Sequence, residues 1–301
     1  LNWNGFLLSL TTAVLWGVLP VFLHICLQAL DSQSITWLRF LVAAGIVLIF
    51  LANKRALPNL ARQSPKILLI ALIAALLLVV NYVTTVQSLA YVSPETVQVV
   101  MQVAPIMLML GGIFFYKERL NPLAIFGAVT LFSGLGLFFS PNIGELLLAG
   151  SQYNKGIVLV LIAATAWAGY ALSQKLLLRS FTAKQLTLII YVVGIIALLP
   201  FIDLSGLANM TGLQWGALVF CCINTVVAYG CFTEALAVWN SSKVGAVVAT
   251  GPVFTFICVA GAEHFLPGQY AMIELNVFVL IGALCVVSGS MMTALSKDKT
   301  L

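Results

Sequence analysis

Ten apolar runs, separated by short polar breaks, follow one another along the chain. A helix needs about 20 apolar residues to cross a bilayer. Runs of that order occupy 4–24, 33–53, 67–89, 94–115, 121–140, 156–178, 183–202, 212–235, 242–263 and 273–295. They are continuous, about twice the roughly 10-residue alternating segments of a membrane β-barrel, so strands are excluded. The pattern predicts an all-α integral membrane protein with ten transmembrane helices. The first run has no basic flank and is longer than the apolar part of a secretory leader, so it is read as a span.

Composition agrees with the pattern. Hydrophobic residues make up 62% of the chain and charged residues 8%, against about 25% charged in a soluble domain. No polar stretch is long enough for a separate soluble domain. The polar breaks also carry a direction. With the N-terminus in the cytoplasm, Lys54, Arg55, Arg62, Lys66, Lys117, Arg119, Lys175, Arg179, Lys184, Lys243, Lys297 and Lys299 all fall on the inner side. Lys155 alone falls outside, and Arg39 lies within the second span. Asp31, Glu95, Glu145, Asp203, Glu263 and Glu274 face outward. Cytoplasmic loops of membrane proteins are enriched in Lys and Arg, so both termini are expected inside. The net charge of +5 expresses this bias and implies the bilayer, not nucleic acid, as partner.

The chain also repeats itself. Residues 79–105 align without a gap on 226–252, at an offset of 147. Eight of the 27 positions are identical: Val79/Val226, Val80/Val227, Tyr82/Tyr229, Leu89/Leu236, Ala90/Ala237, Val97/Val244, Val100/Val247 and Pro105/Pro252. The repeated unit holds five spans, and an odd number inverts the second copy in the membrane. The expected architecture is two inverted five-helix repeats (5+5), with residues 1–140 as the first, 141–155 as an outward connecting loop and 156–301 as the second. Inverted repeats are common in secondary transporters. Spans 5 and 10 share a glycine spacing, with Gly127 and Gly134 matching Gly282 and Gly289. Glycines seven apart stack on one helix face and let backbones approach closely. That face suits a homodimer seam or packing within one chain. The six cysteines show no metal-ligand spacing and read as small packing residues.

In this frame the chain resembles the EamA-type branch of the drug/metabolite transporter superfamily. The resemblance is carried by Trp16-Gly17, by Ser88-Leu89-Ala90-Tyr91 followed by Pro105, and by Glu118, Gly127 and Ser133-Gly134. It returns in the second half with Ala235-Leu236-Ala237, Pro252, Glu263 and Ser288-Gly289. It covers essentially the whole chain, apart from about ten extra residues after Glu263. It implies a carrier of small metabolites in a bacterial-type inner membrane, often an exporter of amino acids or related compounds. It also implies a central cavity lined mainly by spans 1, 3, 4, 6, 8 and 9.

The residues themselves nominate the lining, because a polar side chain in lipid is expensive and turns toward the bundle or a watery cavity. Gln98 and Gln102 lie one turn apart on span 4 and offer amide donors and acceptors. Asn81 and Thr85 share a face of span 3, while Asn224 and Tyr229 lie on span 8, where Thr225, Tyr229 and Thr233 recur every four residues. Tyr82 is the repeat equivalent of Tyr229. Trp16 and Trp167 sit mid-span, away from the interfaces where tryptophan anchors collect, and Tyr170 lies one turn beyond Trp167. These ten are the expected substrate-binding residues, against the plainer reading that they stitch helices together. Four more are candidates for gating or coupling. Pro105 and Pro252 sit mid-span at equivalent positions, where each removes a backbone hydrogen bond. Arg39 lies about 9 Å along span 2, placed to hold a carboxylate bidentately, to snorkel outward or to pair with Asp31. Glu234, near the inner end of span 8, is the best acid for proton coupling or a partner for an inner-side base.

Other chemistries find no support. The chain has no Walker loop, no His/Cys cluster and no His–carboxylate pair on one face, so neither an enzyme nor an ATP-driven pump is expected, and no cofactor or metal. No ring of like charge suggests a channel. The expectation is a secondary transporter working by alternating access on a small-molecule substrate, driven by a proton or a counter-substrate. The competing readings are a non-transporting membrane scaffold or intramembrane protein, and a drug-efflux carrier.

Overall fold

A computed structural model describes residues 3–116, 121–148, 150–239, 241–265 and 276–295. Thirteen α-helices run in order: α1 Trp3–Cys26, α2 Ser32–Asn53, α3 Pro65–Ser88, α4 Pro94–Met101, α5 Ala104–Tyr116, α6 Pro122–Phe139, α7 Ile143–Leu147, α8 Gln152–Leu177, α9 Ala183–Leu198, α10 Gly212–Val238, α11 Ser241–Val248, α12 Gly251–Phe265 and α13 Val277–Leu295. They supply ten segments long and apolar enough to span a membrane. The fourth is α4 with α5 and the ninth α11 with α12, so the protein is a multi-pass integral membrane protein with the expected ten spans. Residues 117–120, among them Glu118, the ten residues after Phe265 and the residues after Leu295 lie outside the described residues.

Local chemistry sets where the helices begin. Ser64, Ser93 and Asn121 cap α3, α4 and α6, each just before a proline in the first turn. Proline is tolerated there because its missing N–H would have had no helical partner anyway. Thr182 with Gln185 and Thr211 with Gln214 form capping boxes at α9 and α10, satisfying two orphan backbone donors at each helix start. Asp31 caps α2 by accepting from the Ser34 backbone N–H at 2.8 Å and from its hydroxyl at 2.9 Å. Asp31 is thus committed to the cap and is not a partner of Arg39.

The two halves interlock across the inverted symmetry. Helix α1 packs on α10 and α12, and its counterpart α8 packs on α3 and α5. Helix α2 packs on α9 and α6 on α13, each pair joining equivalent spans of the two repeats. The α6–α13 contact is the tightest. A methyl group added at Gly127 would lie 2.7 Å from the Gly289 carbonyl oxygen, and one at Gly282 would lie 2.7 Å from that of Gly134. Any side chain there would force the helices apart. The glycine face is therefore occupied within one chain and not left free as a seam between two.

Backbone hydrogen bonding repeats as well. In the fourth span Val103 N donates to Val100 O at 3.0 Å and Ile106 N to Val103 O at 3.0 Å. In the ninth, Thr250 N donates to Val247 O at 3.1 Å and Val253 N to Thr250 O at 3.0 Å. These bonds sit at the offset of 147, and each replaces the helical i−4 step by an i−3 step. Pro105 and Pro252 lie within the two breaks, inside the second i−3 bond of each, and lack the N–H that would continue the i−4 ladder.

Candidate functional site

The site grows from a weak point in α1. Pro20 lies inside the helix and has no N–H for the carbonyl of Trp16 four residues earlier. That carbonyl instead accepts from Gln98 Nε2 of α4 at 2.7 Å. The carbonyls on either side are also taken: Leu15 O accepts from Asn224 Nδ2 of α10 at 2.7 Å and Gly17 O from Thr255 Oγ1 of α12 at 2.6 Å. Three consecutive carbonyls thus tie α1 to three other helices. Gly17 makes this approach feasible, because a Cβ there would lie 2.5 Å from Gly251 O. The opposite half repeats one of these links, with Asn81 Nδ2 of α3 donating to Ala163 O of α8 at 2.9 Å.

These helices enclose a cavity of about 840 Å³, within the range of roughly 300–1,000 Å³ typical of small-molecule sites. Both repeats contribute to its lining. From the first come Trp16, Asn81, Tyr82, Thr85, Gln98 and Gln102, and from the second Trp167, Tyr170, Asn224 and Tyr229. All ten residues expected to bind substrate therefore face one space. Arg39 and Pro105 line it too, whereas Glu234 and Pro252 are not among its described lining residues. At one end the lining is exposed, at Leu178, Leu236 and Ala237, while at the other Leu23 and Val97 are buried. The cavity opens toward the helix ends joined by the Lys- and Arg-rich loops.

Its walls are aromatic and its polar groups are partly uncommitted. The Trp16 ring lies 5.2 Å from the rings of both Tyr229 and Phe232. The Tyr82 phenol interacts with those of Tyr191 and Tyr229. Gln102 Oε1 accepts from Ser290 Oγ at 2.6 Å. Thr85 Oγ1 and Asn224 Oδ1 are buried without a hydrogen-bond partner among the described residues.

Arg39 is 3% exposed, so it does not snorkel. Its Nε donates to Thr225 Oγ1 at 3.0 Å, and its guanidinium carbon lies 4.6 Å from the centre of the Tyr82 ring. Among the described lining residues it is the one charged side chain. Glu234 sits at the open end, 58% exposed, with its carboxylate 4.0 Å from Lys184 Nζ.

Sequence reasoning missed part of the lining. Gln174, Thr187, Ser290 and Thr293 also face the cavity. Gln174 lies seven residues after Trp167 and four after Tyr170, so the helical repeat that nominated those two extends to it. Ser290 and Thr293 lie beside the Gly289 contact and were hidden by the glycine spacing. Outside the cavity, the Trp37 indole Nε1 donates to Ile195 O of α9 at 3.1 Å and ties α2 to α9.

Comparison with known proteins places this architecture. Residues 3–140 and 154–295 each match the sequence model of the EamA-like transporter family. An uncharacterized transporter of Haemophilus influenzae is 36% identical over 294 residues, covering 97% of this chain and 94% of the relative. The uncharacterized inner membrane transporter YhbE of Escherichia coli is 33% identical over 292 residues, covering 97% and 91%. A protein of known crystal structure shares the fold with a TM-score of 0.67 at 17% identity, covering 99% of this chain and 98% of that one.

Proposed function

Because this chain belongs to the EamA-like transporter family, we propose that it is a secondary transporter that exports small metabolites, amino acids or related amphipathic compounds, from the cytoplasm across the inner membrane. One observation carries the reading: a cavity of about 840 Å³ is walled by both inverted halves, with exposed lining residues at one end and buried ones at the other. A carrier that exposes its site to one side at a time has this form. With the Lys- and Arg-rich loops inside, as their bias favours, the cavity faces the cytoplasm and is poised to load an outgoing solute. Trp16, Trp167, Tyr170 and Tyr229 form aromatic walls. Asn81, Thr85, Gln98, Gln102 and Asn224 offer amide and hydroxyl groups near the middle of the bundle. The closed end is held by buried apolar contacts that include Leu23, Leu89 and Val97. The broken helices at Pro105 and Pro252 supply two symmetric points at which the halves rock. A proton or a counter-moving solute provides the driving force.

The test is a comparison of compounds released by cells over-expressing the protein with those released by cells lacking it, followed by efflux from loaded proteoliposomes. Export of amino acids or similar metabolites, lost in Trp16→Ala and Tyr229→Ala variants that remain folded, supports the reading. A panel in which nothing moves, or in which only bulky hydrophobic drugs move, overturns it.

A further inference from the structure

We propose that Arg39 is the anion-binding group of the cavity and that the preferred substrate is an organic monocarboxylate, one net negative charge on an apolar body. The inference rests on the carrier reading above and narrows its substrates from amino acids and related amphipathic compounds to the related monocarboxylates.

Arginine in the middle of a bilayer is costly and is normally paired or hydrogen-bonded throughout. A guanidinium has five N–H donors. Arg39 commits one of them, on Nε, to Thr225. No carboxylate approaches it within 4.0 Å among the described residues, and no acidic residue occurs among the described lining residues. The guanidinium carbon lies over the Tyr82 ring, a cation–π contact that limits where the group can move. The terminal Nη groups have no hydrogen-bond partner among the described residues and belong to a residue that lines the cavity. Two parallel N–H donors in one plane match the two oxygens of a carboxylate.

The charge balance narrows the class further. The described cavity lining carries a single positive charge. A monoanion brings the loaded site to neutrality before it crosses the bilayer. A dianion leaves one negative charge with no cation to meet it. An amino acid zwitterion can place its carboxylate on Arg39, but its ammonium then finds aromatic faces and amide oxygens with no carboxylate. An organic cation is repelled. Beyond the head group, Trp16 and Phe232 from one side and Trp167 and Tyr170 from the other offer an apolar sleeve for the rest of the molecule.

The experiment uses the full chain in lipid nanodiscs and one apolar body with varied charge: 3-phenylpropionate, 3-phenylpropionamide, phenylalanine, phenethylamine and phenylsuccinate. Binding is read by calorimetry, with protein-free nanodiscs as the blank. The expected result is that 3-phenylpropionate binds at least about tenfold more tightly than the amide, the zwitterion and the amine, the scale of a charge-assisted hydrogen-bond pair. Phenylsuccinate binds no more tightly than the monoacid. Arg39→Gln brings the acid down to the level of the amide and leaves the amide unchanged, while Arg39→Lys retains part of the preference. Equal binding of acid and amide, tighter binding of the zwitterion, or a preference that survives in Arg39→Gln overturns the proposal. If Arg39→Gln does not fold, the wild-type series decides alone. If no compound binds, the monocarboxylate proposal falls while the carrier reading stands on the export screen. Arg39-dependent acid binding together with an empty export screen sinks the carrier reading instead.

Discussion

Gln98 donates its side-chain amide to the carbonyl oxygen of Trp16 at 2.7 Å, the carbonyl that Pro20 leaves without a helical donor. A defect in one helix is thereby repaired from another, and the repair holds Trp16 against the cavity. Gln98→Leu is expected to destabilise the protein by about 1–2 kcal/mol, the scale of a buried acceptor left unmade. Pro20→Ala restores the internal donor, so the double variant Pro20→Ala/Gln98→Leu should lose less than the sum of the two single losses. Thermal unfolding in detergent measures the cycle, and strict additivity would show that the two residues are not coupled.

The glycine contact between α6 and α13 should tolerate no side chain of any size. Gly289→Leu drives a branched chain into the Gly127 carbonyl and the Leu131 backbone, and a loss of about 1–3 kcal/mol or more is expected. Gly136→Ala on the same helix as Gly127 meets nothing within 4 Å and serves as the control. Melting temperature and the monodisperse fraction on size exclusion read the difference. A Gly289→Leu protein as stable as Gly136→Ala would contradict the packing described here.

The paired helix breaks carry a kinetic expectation. Pro105→Ala and Pro252→Ala each return an N–H to the broken step, favouring a straight span. Substrate affinity should change little in the Pro252 variant, since that residue lies off the described cavity lining. The turnover of exchange in proteoliposomes should fall by about tenfold, because lid and hinge motions commonly limit turnover. Unchanged turnover in both variants would remove the two prolines from the transport cycle.

Glu234 carries two readings, proton coupling and pairing with an inner-side base, and a contact stands behind the second. An exposed ion pair at 4.0 Å contributes about 0–1 kcal/mol, and Glu234 is not among the described lining residues. Glu234→Gln is expected to change transport by less than about twofold at any pH, within the effect of losing one such pair. Abolished gradient-driven transport with intact exchange would instead establish it as the coupling group.

The ten spans were readable because lipid imposes a length and a polarity on each of them, and the chain obeys both. Helical spacing likewise put Asn81 with Thr85 on one face of α3, Gln98 one turn from Gln102 on span 4 and Thr225 with Tyr229 on one face of α10, and all of them line the cavity. What spacing cannot convey is what covers a face. The Gly127/Gly289 face looked the same whether its partner was a second chain or the second repeat, and only the three-dimensional packing chose. Pro20 drew no attention in the sequence, since its meaning depends on Gln98, 78 residues away. Arg39 stood out as a lone cation in a span, but three fates were open to it. Its burial and its contact with Thr225 excluded snorkelling, and the Asp31 cap excluded the nearest acid.

The inverted halves share their helix breaks but not their polar fittings. Gln98 and Gln102 brace the fourth span against Trp16 and Ser290, and the aligned positions in the ninth are Gly245 and Ala249. In a carrier that alternates as proposed above, these bonds have no symmetry mate, so its two orientations are not equivalent and differ in free energy. Detailed balance then permits the half-saturation constants at the two membrane faces to differ, provided the maximal rates differ in the same ratio. Such a protein can bind weakly and quickly on one face, tightly and slowly on the other, without altering the equilibrium it serves.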